Sequence, residues 1–292
     1  MGYLWGVTLL WAFSFSLIGV YLAGQVDSYF AVLTRALLAA AMFLPLLRWR
    51  QVSAELALKM MAIGGLQLGV MYLCLYQSFI YLSVPEVLLF TILTPLYITL
   101  LNDVMQRRFS LVYLVTAALA VLGAGIIRYH QVSADFLGGF LLVQGANLCF
   151  AIGQISYKQL MAKREERLHQ HTVFGFFYLG ACVVAAAGFG LFGNPDRLPT
   201  TALQWGILLW LGLVASALGY FFWNKGATQV DAGALAIMNN ALVPAGLIVN
   251  LVIWDRDADL LRLSLGGAVI LLSLGCNHYW TRRRQRLASA AM

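Results

Sequence analysis

Apolar residues in this chain run in blocks, and polar residues fall almost wholly between the blocks. The apolar blocks, with soft edges, are 3–23, 29–47, 57–81, 84–102, 110–127, 137–158, 172–193, 203–222, 232–253 and 262–280. Crossing a bilayer takes roughly 20 apolar residues in a helix. Lipid offers backbone groups no partner, so runs of this kind, which lack alternation at period two, predict helix. The expected fold is therefore all-α: a polytopic membrane protein of ten transmembrane helices joined by short loops.

Composition agrees with the pattern. Of 292 residues, 61% are hydrophobic and 11% charged, with a mean hydropathy of +0.80. Soluble domains carry about 25% charged residues. The first block, "MGYLWGVTLLWAFSFSLIGVYLAGQ", has no Lys or Arg before it, unlike a secretory signal, and reads as an uncleaved first span. The four cysteines, Cys74, Cys149, Cys182 and Cys276, all lie inside apolar blocks without metal-ligand spacing, as small buried hydrophobes do.

The net charge of +7 raises the question of nucleic acid, and its placement answers it. With the N-terminus cytoplasmic, fourteen of the nineteen Lys and Arg fall on the cytoplasmic side and four on the other. Such a bias predicts both termini inside, and it makes the tail "TRRRQR" a topology anchor rather than a nucleic-acid patch. Arg35 is the remaining cation and lies within the second span.

The ten blocks also repeat. "SFIYLSVPEVLLFTILTPLYITLLN" (78–102) aligns without gaps on "ATQVDAGALAIMNNALVPAGLIVNL" (227–251), placing Pro95 on Pro244. "WAFSFS" (11–16) aligns more loosely on "FAIGQI" (150–155). Five helices per half is an odd number, so the second half enters the membrane inverted. Inverted repeats mark secondary transporters, with the substrate near the midplane. The expected units are 1–130 and 131–292, the second upside down.

The ten-helix repeat, "LWAFSFS" in helix one, "TRALLAA" in helix two and the prolines of helices four and nine resemble the EamA branch of the drug/metabolite transporter superfamily. Within that branch, "YLAGQVDSYFAVL", "QLGVMY", "LLLFTILTPLYITL", "GAGIIRY", "WNKGATQVDAGALAIMNN" and "VPAGLIVNL" are similar to the YigM-type biotin transporters of enteric bacteria. These segments are spread over nearly the whole chain. The resemblance implies uptake of biotin across the inner (cytoplasmic) membrane, with no ATPase subunit. Relatives often carry a Lys eight residues after the helix-one Trp; here that position is Gly19, so a carboxylate partner would lie elsewhere.

Biotin presents an apolar ring, a flat ureido group and a carboxylate. A fitting site offers amides, an aromatic wall and one cation. Asn239 and Asn240, in the middle of helix nine, supply donors and acceptors that match a ureido edge. Interhelical bonding is their alternative role. On helix four, Phe90, Thr94 and Tyr97 share a face at helical spacing, with Thr91 on the adjacent stripe. Helix three adds Tyr72 and Tyr76, mirrored in helix eight by Tyr220, Trp223 and Asn224; Trp223 is a candidate ring-stacking wall or a belt residue. Helix six adds Gln144, Asn147 and Gln154. Arg35 could take the carboxylate, or clamp neighbouring carbonyls. Lys158 could receive the carboxylate or snorkel to the cytoplasm. Two acids read as caps rather than proton carriers: Glu86 in "SVPE" and Asp231 in "VDAG". His278 reads as interfacial.

The leading expectation is a secondary transporter importing biotin, with no cofactor or metal and a small molecule and the lipid bilayer as its partners. An EamA-type exporter of amino acids or related metabolites keeps the same fold and reverses the task. An intramembrane enzyme is disfavoured, because HExxH, GxSxG and paired intramembrane carboxylates are absent.

Overall fold

The computed structural model describes residues 2–105, 134–162, 169–230 and 232–254, with isolated helical positions at 122 and beyond 260. The described residues are helical with short connections and contain no strand. Six of the helices are long and apolar enough to cross a bilayer: α1 (Gly2–Leu22), α2 (Ser28–Leu46), α3 (Ala54–Tyr81), α6 (Ala134–Ala162), α7 (Phe174–Phe192) and α8 (Ala202–Ala227). Three more complete the described set: α4 (Val84–Thr91), α5 (Thr94–Met105) and α9 (Ala232–Trp254). The spans expected at 110–127 and 262–280 lie outside the described residues or retain only scattered positions, as do the boundary at 130/131, Asp231, Cys276, His278 and most of the basic tail.

Caps explain where the helices begin. Asp27 caps α2, its Oδ1 accepting from Phe30 N–H at 2.7 Å, while its Oδ2 accepts from Asn194 N–H at 3.2 Å. Ser53 caps α3. Before α4, Oε2 of Glu86 accepts from both the N–H and the hydroxyl of Ser83 at 2.8 Å, with Pro85 in the first turn. Thr201 and Gln204 form the same reciprocal arrangement at the start of α8. Glu86 therefore acts as a helix-start group, as the sequence suggested.

The fourth apolar block is two helices, not one. Between α4 and α5, Ile92 and Leu93 bond back only three residues, at 3.2 and 3.4 Å. Pro95 has no N–H for the carbonyl of Thr91, and the Thr94 hydroxyl donates to that oxygen instead at 2.8 Å. The carbonyl of Phe90 is taken by Asn147 Nδ2 at 2.9 Å. Its repeat counterpart Pro244 leaves no such break: α9 runs on through it.

Three long helices each contain a π-segment: 18–22 in α1, 65–70 in α3 and 211–218 in α8. A π-segment widens the helix and takes carbonyls out of the regular ladder. In α8 those oxygens find side-chain donors. Trp11 Nε1 donates to Ala215 O at 2.9 Å, and the Tyr178 hydroxyl to Ser216 O and Ala217 O at 3.1 and 2.5 Å.

Glycines set the closest crossing. A Cβ on Gly64 would lie 1.8 Å from the backbone oxygen of Phe177, and one on Gly180 would lie 1.8 Å from that of Met61. Helices α3 and α7 thus touch backbone to backbone, which is how helices associate where lipid supplies no hydrophobic drive. Gly19 packs against Val84 and Phe79, and a Cβ there would lie 2.2 Å from Val84 Cγ2.

Candidate functional site

A partly enclosed cavity of about 80 Å³ lies among α1, α2, α3, α6, α8, α9 and the α4–α5 break. It holds several waters' worth of space. Its lining has three chemically distinct parts.

One part is cationic. Arg35 on α2 is 1% exposed. Its Nε donates to Ser216 Oγ at 3.0 Å, Nη1 to the Tyr76 hydroxyl at 2.8 Å and Nη2 to the Tyr72 hydroxyl at 2.5 Å. The guanidinium carbon sits 4.1 Å from the centroid of the Tyr72 ring. The π-segment of α8 turns Ser216 to this position, and one helical turn on α3 separates the two tyrosines. Among the described residues no carboxylate pairs with Arg35; the ion pair they contain joins Lys59 and Glu55 at the exposed start of α3. A guanidinium has five N–H donors, so three hydroxyl partners leave capacity for an anion in the cavity.

A second part is aromatic. Trp11 on α1 meets Trp223 and Tyr220 on α8 at centroid distances of 5.0 and 5.1 Å, and Phe150 on α6 at 5.9 Å. Phe150 lies 6.1 Å from both Tyr220 and Trp223. The four rings pack on one another and present an apolar aromatic wall to the cavity.

The third part carries amides and hydroxyls. Asn239 on α9 donates through Nδ2 to Leu235 O at 2.8 Å and to Gln154 Oε1 at 3.3 Å. Asn147 on α6 faces the cavity beside Thr91 and Thr94.

Of the nine residues expected from sequence, Arg35, Tyr72, Thr94, Trp223 and Asn239 line the cavity. The other four do not line it. Tyr76 stands one shell back, bonded to Arg35. Phe90 is fully buried against Phe136 and Phe140, at 5.9 and 5.0 Å. Tyr97 donates to Gln144 Oε1 at 3.2 Å. Asn240 is not among the lining residues, and its Oδ1 is buried without a hydrogen-bond partner. The reason is shared for helix four: a face drawn through Phe90, Thr94 and Tyr97 assumes unbroken helix, and the break at 92–93 brings Thr91 round instead. Two further expectations change. Arg35 is clamped by hydroxyls, not by carbonyls. Trp223 is 1% exposed and so is no belt residue. The Lys158 ammonium bonds Val230 O, at the turn before α9.

Sequence reading missed Trp11, Phe150 and Ser216. The first two were visible as a pair, since the alignment of 11–16 on 150–155 sets Trp11 on Phe150. Nothing local marks Ser216.

Comparison with known proteins gives a consistent picture. The model of the EamA-like transporter family matches residues 1–129. A protein of Pseudomonas aeruginosa named "Probable biotin transporter" is 58% identical over 282 residues, covering 97% of this chain and 99% of its own. Proteins of Salmonella typhimurium and Escherichia coli, each named "Biotin transporter", are 55% identical over 278 residues, covering 95% of this chain and 92% of theirs. A solved crystal structure with 17% identity superposes over 96% of this chain and 97% of its own with a TM-score of 0.65, a likeness of fold. The match to the family model, together with 55–58% identity to these relatives along nearly the whole chain, makes this chain a member of the EamA-like transporter family.

Proposed function

We propose that the protein is a secondary transporter that takes up biotin across the cytoplasmic membrane by alternating access. The observation that carries this is Arg35: a buried cation on a cavity wall with no carboxylate partner among the described residues. Such a charge is costly unless an anion visits it. The biotin carboxylate sits there in this reading, the bicyclic ring lies against the wall of Trp11, Phe150, Tyr220 and Trp223, and Asn239 meets the ureido group. The names of the 55–58% identical relatives support the substrate.

The carrier is read as ten helices in two inverted repeats, 1–130 and 131–292, with both termini cytoplasmic. Three features support that reading. The family model ends at 129, beside the expected boundary. The offset that sets Pro95 on Pro244 carries the π-segment 65–70 onto 214–219, over most of the second one at 211–218. Helix pairing is also mutual: α1 packs on α9 as α6 packs on α4 and α5, and α2 on α8 as α7 on α3.

The test is uptake of radiolabelled biotin by a host unable to make or import it. Expression should confer saturable uptake that persists without an ATPase partner. Arg35→Gln and Arg35→Lys should both lose it at normal membrane abundance, because an ammonium cannot hold three fixed hydroxyls and an anion together. Normal uptake by Arg35→Gln would remove the carboxylate assignment. Absence of uptake, with efflux of amino acids instead, would favour the exporter.

A further inference from the structure

Gln154 on α6 is fully buried and outside the cavity lining, yet it touches two of the residues that form that lining. Its Oε1 accepts from Trp223 Nε1 at 3.2 Å and from Asn239 Nδ2 at 3.3 Å. Its Nε2 has no hydrogen-bond partner. An unpaired buried donor costs stability, so the side chain is kept for its oxygen rather than its nitrogen. That oxygen joins α6, α8 and α9 at one point.

We propose that Gln154 is a positioning residue that fixes which face of the Asn239 amide the ligand meets. The proposal rests on the transport reading given above. An Asn side chain turned through 180° exchanges a donor for an acceptor. Here both Nδ2 bonds, to Leu235 O and Gln154 Oε1, run into the protein. Oδ1 is left for the cavity, where it accepts a ligand N–H. The same Gln154 oxygen holds the Trp223 indole by its Nε1 edge within the aromatic wall. Loss of this acceptor frees the Trp223 indole and leaves the Asn239 amide held by Leu235 O alone, so the amide turns more readily and the preference for an N–H donor weakens.

The experiment compares uptake of biotin with that of an analogue methylated on one ureido nitrogen, in wild type and in variants at position 154. Gln154→Met keeps length and volume and removes the acceptor. Gln154→Glu keeps an acceptor oxygen at the same place. Wild type should favour biotin over the analogue, measured as the ratio of Vmax/KM. In Gln154→Met that preference should fall about tenfold, mainly through KM, with membrane abundance and the size-exclusion profile unchanged; Gln154→Glu should retain it. Gln154→Leu removes the same oxygen and serves if Gln154→Met does not accumulate. Wild-type preference in either acceptor-free variant, or equal loss in Gln154→Glu, overturns the proposal. Lack of biotin uptake by wild type itself overturns the transport reading instead, so the two failures are told apart.

Discussion

At Arg35 the chain places a permanent cation against phenol and alcohol oxygens in a setting from which water is largely excluded. Hydroxyls orient the guanidinium without neutralising it, whereas a carboxylate would do both and close the site to other anions. This arrangement makes the tyrosines separable by experiment. Tyr72 gives Arg35 a hydrogen bond and a ring face, and Tyr76 gives chiefly a hydrogen bond. Removing either hydroxyl leaves a buried N–H short of a partner, at about 1–3 kcal/mol. Tyr76→Phe should raise KM for biotin about tenfold with Vmax near wild type. Tyr72→Ala, which removes the ring as well, should have a larger effect than Tyr72→Phe. Uptake kinetics at matched membrane abundance check both.

Residue chemistry of this kind was largely readable beforehand. Arg35 is the intraspan cation, Tyr72 and Tyr76 are one turn apart, and an amide in a greasy helix needs a partner. What could not be read was rotation about each helix axis. Asn239 and Asn240 are adjacent and chemically identical, and only packing decides that the first faces the cavity.

At the scale of the element, helix edges follow from composition and caps, and most were legible. Ser83, Pro85 and Glu86 announce the start of α4 in plain sequence. The π-segments were not legible. Their residues, "GLQLGV" and "LGLVASAL", are ordinary span residues, and in the second of them donors on other helices, Trp11 and Tyr178, take up carbonyls that nothing local announces. The break after Thr91 was half legible: Pro95 predicted a kink, but the matching Pro244 sits in continuous helix, so proline alone does not decide it.

The α3–α7 crossing yields a prediction at this scale. Gly64→Ala and Gly180→Ala each place a methyl carbon within 1.8 Å of a backbone oxygen, which no rotamer relieves. Overpacking costs about 1–3 kcal/mol even among side chains, and backbone yields less. Both variants should lower the melting temperature measured in detergent and the amount in the membrane. Gly138→Ala, where a Cβ meets nothing within 4 Å, should leave both unchanged.

At the scale of the whole molecule, α1 and α9 close against each other through polar contacts as well as packing. Asn250 Nδ2 donates to Ser16 Oγ at 3.1 Å, and Trp254 Nε1 to the Tyr21 hydroxyl at 3.2 Å. Pairs such as these, worth about a kcal/mol each in membranes, hold a closed seam without making it permanent. If this seam parts during transport, a short bifunctional thiol-reactive crosslinker (a bis-methanethiosulfonate) joining Ser16→Cys to Asn250→Cys should stop uptake, in a background lacking the four native cysteines. Reduction of the linkage should restore uptake. Undiminished uptake by the crosslinked protein would show that the seam stays shut throughout the cycle.

In the proposed alternating-access cycle, with the ligand carboxylate at Arg35, the unneutralised guanidinium would give the carrier two electrical states. Empty, the pocket bears one positive charge; with a bound monoanion it bears none. A transmembrane voltage therefore acts on the return of the vacant carrier and hardly at all on the loaded crossing. The energy at stake is about 2.3 kcal/mol per charge per 100 mV. In a cell with a negative interior that force retains the vacant site on the inner side, so resetting, rather than delivery, is the half of the cycle that depolarisation would quicken.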